Sequence, residues 1–163
     1  MLKINKTELQ QVYKLVNQPL LSIKDLRPAW LVIRNDLRNV VWKQQFETEG
    51  GYAGSGWEPL SDKYAAWKEK HYPGKPILQL TGQLKKSFTE DFRGSNGGYY
   101  QLLAPSFMEV GSDLKVGKYN LGLLHQTGTE NMPARKVVEL TSREHKLYPE
   151  IIVEYIYKSM DKG

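Results

Sequence analysis

Three histidines, His71, His125 and His145, are the side chains best suited to move a proton near neutral pH or to hold a metal ion. None of them stands in a ligand spacing such as H-x-x-x-H. The chain has no cysteine, which excludes thiol chemistry, a disulfide framework and a cysteine–zinc site. His125 draws notice because Gln126 and Gly128 follow it. Near a helix end it reads either as a packed or capping residue or as a general base. Ser61 and Ser87 lack the context of a nucleophile elbow. Gly94, Gly97 and Gly98 do not precede a helix as a phosphate loop would, and read as a turn. Glu90 and Asp91, adjacent on an expected strand, would point to opposite faces and could not share a proton. The residues predict no catalytic centre, no cofactor and no metal.

The elements that carry these side chains are organised around the stretch from Ile77 to Phe88. Before it, apolar residues recur at helical spacing; after it, they alternate as strands do. Pro73-Gly74-Lys75-Pro76 breaks the chain just upstream. Thr81 is expected to N-cap a short helix with Gly82 and Gln83 in its first turn, on which Leu84 and Phe88, four apart, would meet. The stretch reads as a buried elbow between a helical half and a β half, or as an ordinary helix start. Upstream, Leu26, Trp30, Ile33, Leu37, Val40, Val41 and Phe46 keep a helical rhythm from near Ser22 or Asp25 to Gly50-Gly51. Pro28 is tolerable there only in the first turn. Such a helix, about 25 residues long, would span on the order of 35 Å. An earlier helix should begin at Thr7, with Gln10 completing a capping box and Leu9, Val12, Leu15 and Val16 as its stripe, and stop before Pro19.

Gly50 to Gly56 reads as a flexible loop with too few contacts to hold it in an isolated subunit, closed by Trp57 and by a helix that Ser61 caps. Trp57 and Trp67 read as packed anchors or as a binding surface. Past the elbow the pattern predicts a strand from Phe88 to Arg93, a hairpin loop over Gly94 to Gly98, and a returning strand from Tyr99 to Ala104. A third strand follows Pro105. A small helix from Lys118 to Gly128, a polar loop from Thr129 to Pro133 and a short strand at Val137, Val138 and Leu140 come next. Thr141 and Glu144 form another capping box, and a helix restarting at Pro149 carries Ile151, Ile152, Tyr155, Ile156 and Met160. The expected class is α+β: a long N-terminal helix and short helices packed on a small, mainly antiparallel β-sheet, with a C-terminal helix. Residues 1–163 are expected to form a single domain, comprising a helical arm (1–21), a helical half (22–72) and the elbow, sheet and last helix (77–163).

At 163 residues the chain can bury a real core, and its net charge of +5 is spread rather than clustered. That balance reads as a solvated basic surface or as a nucleic-acid patch. No apolar run approaches the roughly 20 residues of a membrane helix, and the first residues lack the apolar core of a signal peptide. A cytoplasmic origin is expected.

The order of short motifs says more than any one of them. Trp57-x-Pro59-Leu60-Ser61 is followed by Tyr64 and Lys68, then by Ile77-Leu78-x-Leu80-Thr81-Gly82-x-Leu84-x-x-Ser87. Val110-Gly111-Ser112, Tyr119, Leu124-His125-Gln126-x-Gly128 and Met132-Pro133-Ala134-Arg135 complete the series. From about Phe46 to Tyr155 it resembles the phage virion morphogenesis family, the Mu-like or tail completion proteins. Lys136-Val137 departs from the Pro-Phe that often follows in the family, and Met132 stands where isoleucine is common.

The resemblance implies a structural protein of phage or prophage assembly, completing the tail or joining head to tail, with no catalytic residues to carry over. It implies a ring of copies of the chain, commonly sixfold, around the DNA channel, with tail-tube or neck and connector proteins as partners. Non-specific contact with the DNA would occur there, and no membrane is involved. The protein would be made in the host cytoplasm and end in the virion. The structural or interface candidates are Trp57, Leu80, Thr81, Gly82, His125, Gln126, Gly128, Pro133 and Arg135. Arg135, after Pro133-Ala134, is expected to reach a carboxylate or a cluster of backbone carbonyls. The competing readings are a small nucleic-acid-binding module, suggested by the basic balance and ten tyrosines, and a small hydrolase. The lack of a nucleophile–base pair counts against the latter.

Overall fold

The computed structural model describes residues 25–160. The helix expected from Thr7 lies outside them. Asp25 starts the first described helix: its Oδ1 accepts the Arg27 backbone N–H at 2.9 Å, and its Oδ2 meets the Arg27 guanidinium at 2.7 Å. Pro28 falls in the first turn, where no N–H bond is lost. From there α1 (Arg27–Asp36), a π-helical turn (Leu37–Trp42) and α2 (Lys43–Glu47) run on as one spine. At about 100° per residue, a plain α-helix would carry Trp42 roughly 180° and Phe46 roughly 220° round from Ile33. A π turn holds an extra residue and takes back about one residue of rotation. Ile33, Leu37, Val41, Trp42 and Phe46 consequently all face the core.

The expected α+β class holds. Gln83–Thr89 forms α4, so the strand expected from Phe88 begins only at Arg93. The reason is packing: Leu84 and Phe88 lie one helical turn apart and both enter the core, where the Phe88 ring meets Trp42 edge-on at 5.2 Å. β1 (Arg93–Gly94), β2 (Gly97–Leu103) and β3 (Met108–Ser112) make an antiparallel sheet in the order β1-β2-β3. Tyr99 stands opposite Ser112, and Leu103 opposite Met108. Pro105 lies in the β2–β3 turn, and its carbonyl accepts the Leu26 N–H at 2.8 Å. A second hairpin, β4 (Lys115–Val116) with β5 (Tyr119–Asn120), occupies the start of the helix expected from Lys118. That helix, α5 (Leu121–Thr127), begins at Leu121 because the Asn120 side chain caps it, accepting the Leu123 N–H at 2.9 Å.

The capping box at the last helix is built as expected. Thr141 Oγ1 accepts the Arg143 N–H, and Glu144 Oε2 accepts from the Thr141 backbone and hydroxyl at 2.7 and 2.6 Å. The helix does not restart at Pro149. It runs unbroken from Ser142 to Met160 as α6, held by Tyr148, Ile151 and Ile152 against the core. α6 packs on α1, where Asp36 takes a bidentate bond from Arg143 (2.9 and 3.1 Å) and another from the Tyr148 hydroxyl (3.0 Å).

The glycine loop departs from expectation, being held within the subunit. Gly50 packs so closely under Trp57 that an added Cβ would lie 2.4 Å from the indole Cδ1. The Ala53 N–H reaches Gln45 Oε1, and the Tyr52 hydroxyl donates to Glu144 at 2.8 Å. On α3 (Asp62–His71), Ser61 holds the cap position without a side-chain bond. The two tryptophans part company. Trp57 is buried, whereas Trp67 is exposed in a stack with Tyr64 and His71 at 5.5 and 5.0 Å.

Candidate assembly site

The expected strand at Val137, Val138 and Leu140 does not form. In its place residues 134–138 run through a clasp of side chains from three distant parts of the chain. Gln126, on α5, does the work of a neighbouring strand: its Oε1 accepts the Val137 and Val138 N–H groups, both at 3.0 Å, and its Nε2 donates to the Val138 carbonyl at 2.8 Å. The Lys136 carbonyl takes two bonds at once, from Trp57 Nε1 at 2.8 Å and Gln45 Nε2 at 2.9 Å. Between them the Arg135 N–H donates to the His125 carbonyl at 2.7 Å.

Arg135 is buried, 4% exposed, and among the described residues its guanidinium forms no ion pair with a carboxylate. Nε donates to the Glu58 carbonyl at 2.7 Å and Nη2 to the Pro59 carbonyl at 2.8 Å. Of the two expected kinds of partner, the backbone cluster is the one found, and it lies in the same subunit. The cation therefore ties the Trp57–Leu60 segment to the 134–138 segment. Burial lowers the guanidinium pKa, partly offset by the charge of Glu58. Gly128 closes the clasp. Its φ is +72°, and an added Cβ would lie 2.7 Å from the Ala134 nitrogen, so both conformation and space require glycine.

The other site candidates divide. Leu80, Thr81 and His125 line a groove of about 440 Å³, together with Tyr64, Leu114 and Val116. Thr81 is not the helix cap. Gly82 holds that position at φ +74°, and Thr81 Oγ1 reaches the Gln83 N–H only at 3.5 Å. Pro133 is exposed, and its backbone lies beside Gly128, where an added Cβ would stand 3.1 Å from the Pro133 carbonyl carbon. His125 Nδ1 is buried without a hydrogen-bond partner among the described residues, and burial, with the Arg135 charge, pushes the imidazole pKa down. His71 Nδ1 rests on the Trp67 carbonyl, and His145 lies exposed on α6. The Ser87 hydroxyl donates to the Leu84 carbonyl and accepts from Ser112. Among the described residues no group of His, Asp or Glu comes together to hold a metal ion, and no helix is long and apolar enough to cross a membrane.

A second polar centre escaped the sequence. Glu144, fully buried, accepts from Thr141, Arg143 (2.6 Å) and Tyr52, and Arg143 passes the contact on to Asp36. Burial alone would push the Glu144 carboxyl up; the bonds from Thr141, Arg143 and Tyr52 outweigh it and hold the pKa at about 2. Asp36 and Glu144 raise the Arg143 pKa, while burial, with Asp36, raises that of the Tyr148 phenol. The capping box was the only signal of this centre in the sequence. Gln45, 1% exposed, was likewise hidden, because a glutamine on an apolar stripe reads as surface.

The fold is α+β, and the polar side chains of its clasp fasten the chain's own backbone. The sequence pattern of the phage virion morphogenesis family matches residues 7–99, more than half of the 163 residues, and the chain belongs to that family. It thus has a role in building the phage particle. No curated protein and no solved structure matches it. The matched residues take in the spine, glycine loop, α3, elbow and α4; the motifs at His125 and Arg135 lie beyond them.

Proposed function

We propose that this protein completes the phage tail or joins it to the head, as one subunit of a homo-oligomeric ring, and catalyses no reaction. The family supports the assembly role. The observation that carries the non-catalytic reading is how the motif residues are used. Gln126 uses both ends of its amide, and Arg135 its Nε and Nη2, on backbone groups of the same chain, the use of a fastener rather than of a group aimed at a substrate. The clasp and the Glu144 centre make a stiff body, as a ring subunit needs. Tail-tube, neck or connector proteins are the partners, the ring sits at the head–tail junction or tail end, and six is the expected number of copies. The test is a phage lacking this gene. Heads and tails should both form and fail to join, or tails should have aberrant length; normal infectious particles would overturn the reading.

One observation favours a second reading, direct contact with nucleic acid. Tyr64, Trp67 and His71 form an exposed aromatic stack on α3, and Lys63 and Lys70 stand four before and three after Trp67 on the same helix. DNA affinity falling steeply with salt, and lost in Trp67→Ala, would support it; affinity unchanged in that variant would dismiss it.

A further inference from the structure

α3 is an undercut helix. Its one buried residue is Lys68, whose ammonium donates to the Pro76 carbonyl at 2.7 Å. Among the described residues α3 packs closely on no other helix or strand. Open space lies on both sides of the tether. One groove, about 590 Å³, is lined by Glu47, Glu49, Glu69 and Lys75 beside Ala65. The other is the groove of about 440 Å³ that His125 lines; Leu80, Leu114, Val116 and Leu121 wall it, Tyr64 faces it from α3, and no carboxylate lines it. At about 100° per residue, Tyr64, His71 and Trp67 lie roughly 40°, 60° and 100° from Lys68 on the apolar groove's side. Ala65 and Glu69 lie roughly 60° and 100° round on the other. The exposed aromatic stack therefore flanks the apolar groove. The strap that receives the tether is strained. Leu78, two residues after Pro76, has φ +61°, and Glu49, whose carboxylate accepts the Ile77 N–H, has φ +48°. They are the two non-glycine residues with positive φ among the described residues, and such backbones cluster at clamps and switches.

We propose that α3 is a lid. In the structure it stands open; rolling about the Lys68–Pro76 tether, it closes Tyr64 and Trp67 onto Leu80 and Val116 and fills the apolar groove. Its two ends allow the motion. The chain enters at Pro59-Leu60-Ser61 and leaves at Pro73-Gly74, where Gly74 has φ +67° and an added Cβ would meet nothing within 4 Å. Burial decides the direction. On the closing side an apolar wall awaits two aromatic side chains, each 43% exposed. The opposite roll would press Glu69 toward the carboxylates of Glu47 and Glu49 and strip them of water. The open form presents the Tyr64–Trp67–His71 stack and the closed form withdraws it, so a partner that binds the stack holds the lid open. The lid is independent of the ring.

The cysteine-free chain allows a direct measurement. Full-length protein carrying Ala66→Cys, exposed on α3, and Lys118→Cys, exposed in the β4–β5 hairpin, takes a spin label at each thiol. Double electron–electron resonance should then give two distances, the shorter from the closed lid. The short-distance fraction should rise about twofold in about 1 M sulfate, which strengthens apolar burial. Val116→Glu, on an exposed residue whose replacement leaves the fold intact, sets a carboxylate in the apolar wall and should abolish that rise. Trp67→Ser, which takes the ring from the lid side, should do the same. A single distance that sulfate does not move overturns the lid. So does a sulfate response that survives both Val116→Glu and Trp67→Ser, because the motion would then not end in this groove.

Discussion

Gln126 and Val138 exchange two hydrogen bonds, Val138 N–H to Oε1 at 3.0 Å and Nε2 to the Val138 carbonyl at 2.8 Å, as residues of two adjacent strands would. A side chain thus stands in for a strand. Gln126→Leu keeps the bulk and strips partners from two N–H groups and a carbonyl, which should cost about 2–4 kcal/mol. Gln126→Glu retains the acceptor and should cost less. Urea unfolding with an unchanged m-value measures both. A loss below about 0.5 kcal/mol for the leucine variant would show that the clasp is not structural.

Arg135→Lys tests the fork. A single ammonium cannot reproduce the paired N–H geometry toward Glu58 and Pro59, so the lysine variant should lose about 1–3 kcal/mol and the alanine variant at least as much. Full stability with lysine would mean that charge alone suffices there.

Acid should expose the Glu144 centre. Its folded pKa of about 2 lies below the ordinary 4.5, so its contribution is complete above pH 4.5 and is lost as the pH falls toward 2. The total is on the order of 3 kcal/mol. Glu144→Gln should flatten stability against pH over that window, while lowering stability at neutral pH. A Glu144→Gln curve parallel to the parent's would reject this assignment.

Two glycines differ in what an alanine would meet. Gly117 and Gly128 both have positive φ, +59° and +72°, yet nothing lies within 4 Å of a Cβ added at Gly117. Gly117→Ala should cost about 1 kcal/mol, for conformation alone. Gly128→Ala meets both a backbone (φ +72°, ψ −176°) that is left to glycine and the Ala134 nitrogen, so it should cost at least twice that. Equal losses in thermal unfolding would contradict the close approach.

What was legible in the chain follows from where its physics is local. Capping at Thr141, Pro28 in a first turn and the Leu84–Phe88 pair each depend on neighbours within a turn, and each was read correctly; the hairpin loop expected over Gly94 to Gly98 shrinks to Ser95-Asn96, because Gly94, Gly97 and Gly98 pair in the strands. Long-range substitution misled. Val137 and Val138 have strand character, but their partner is a glutamine side chain eleven and twelve residues away. The glycine loop looked unanchored because its anchors are polar side chains with no local signature, Gln45 on the spine and Glu144 at the far end of the chain. Of the candidates the sequence singled out, Trp57, Gln126, Gly128 and Arg135 each contact or belong to the 134–138 segment, and Thr81 gives up the cap of α4 because Gly82 can take the left-handed backbone that starts it.

The π turn between Leu37 and Trp42 has a consequence for changes in chain length. A residue lost from an ordinary helix swings everything after it about 100° round the axis. Here one residue is held in surplus, so removing exposed Asn39 should relax the turn to a plain α-helix with Trp42 and Phe46 still facing inward. An alanine inserted beside it has no such slack. Cooperative unfolding should survive the deletion and vanish with the insertion, which makes this turn the place where the spine can shorten by a residue, but not lengthen, without losing its partners.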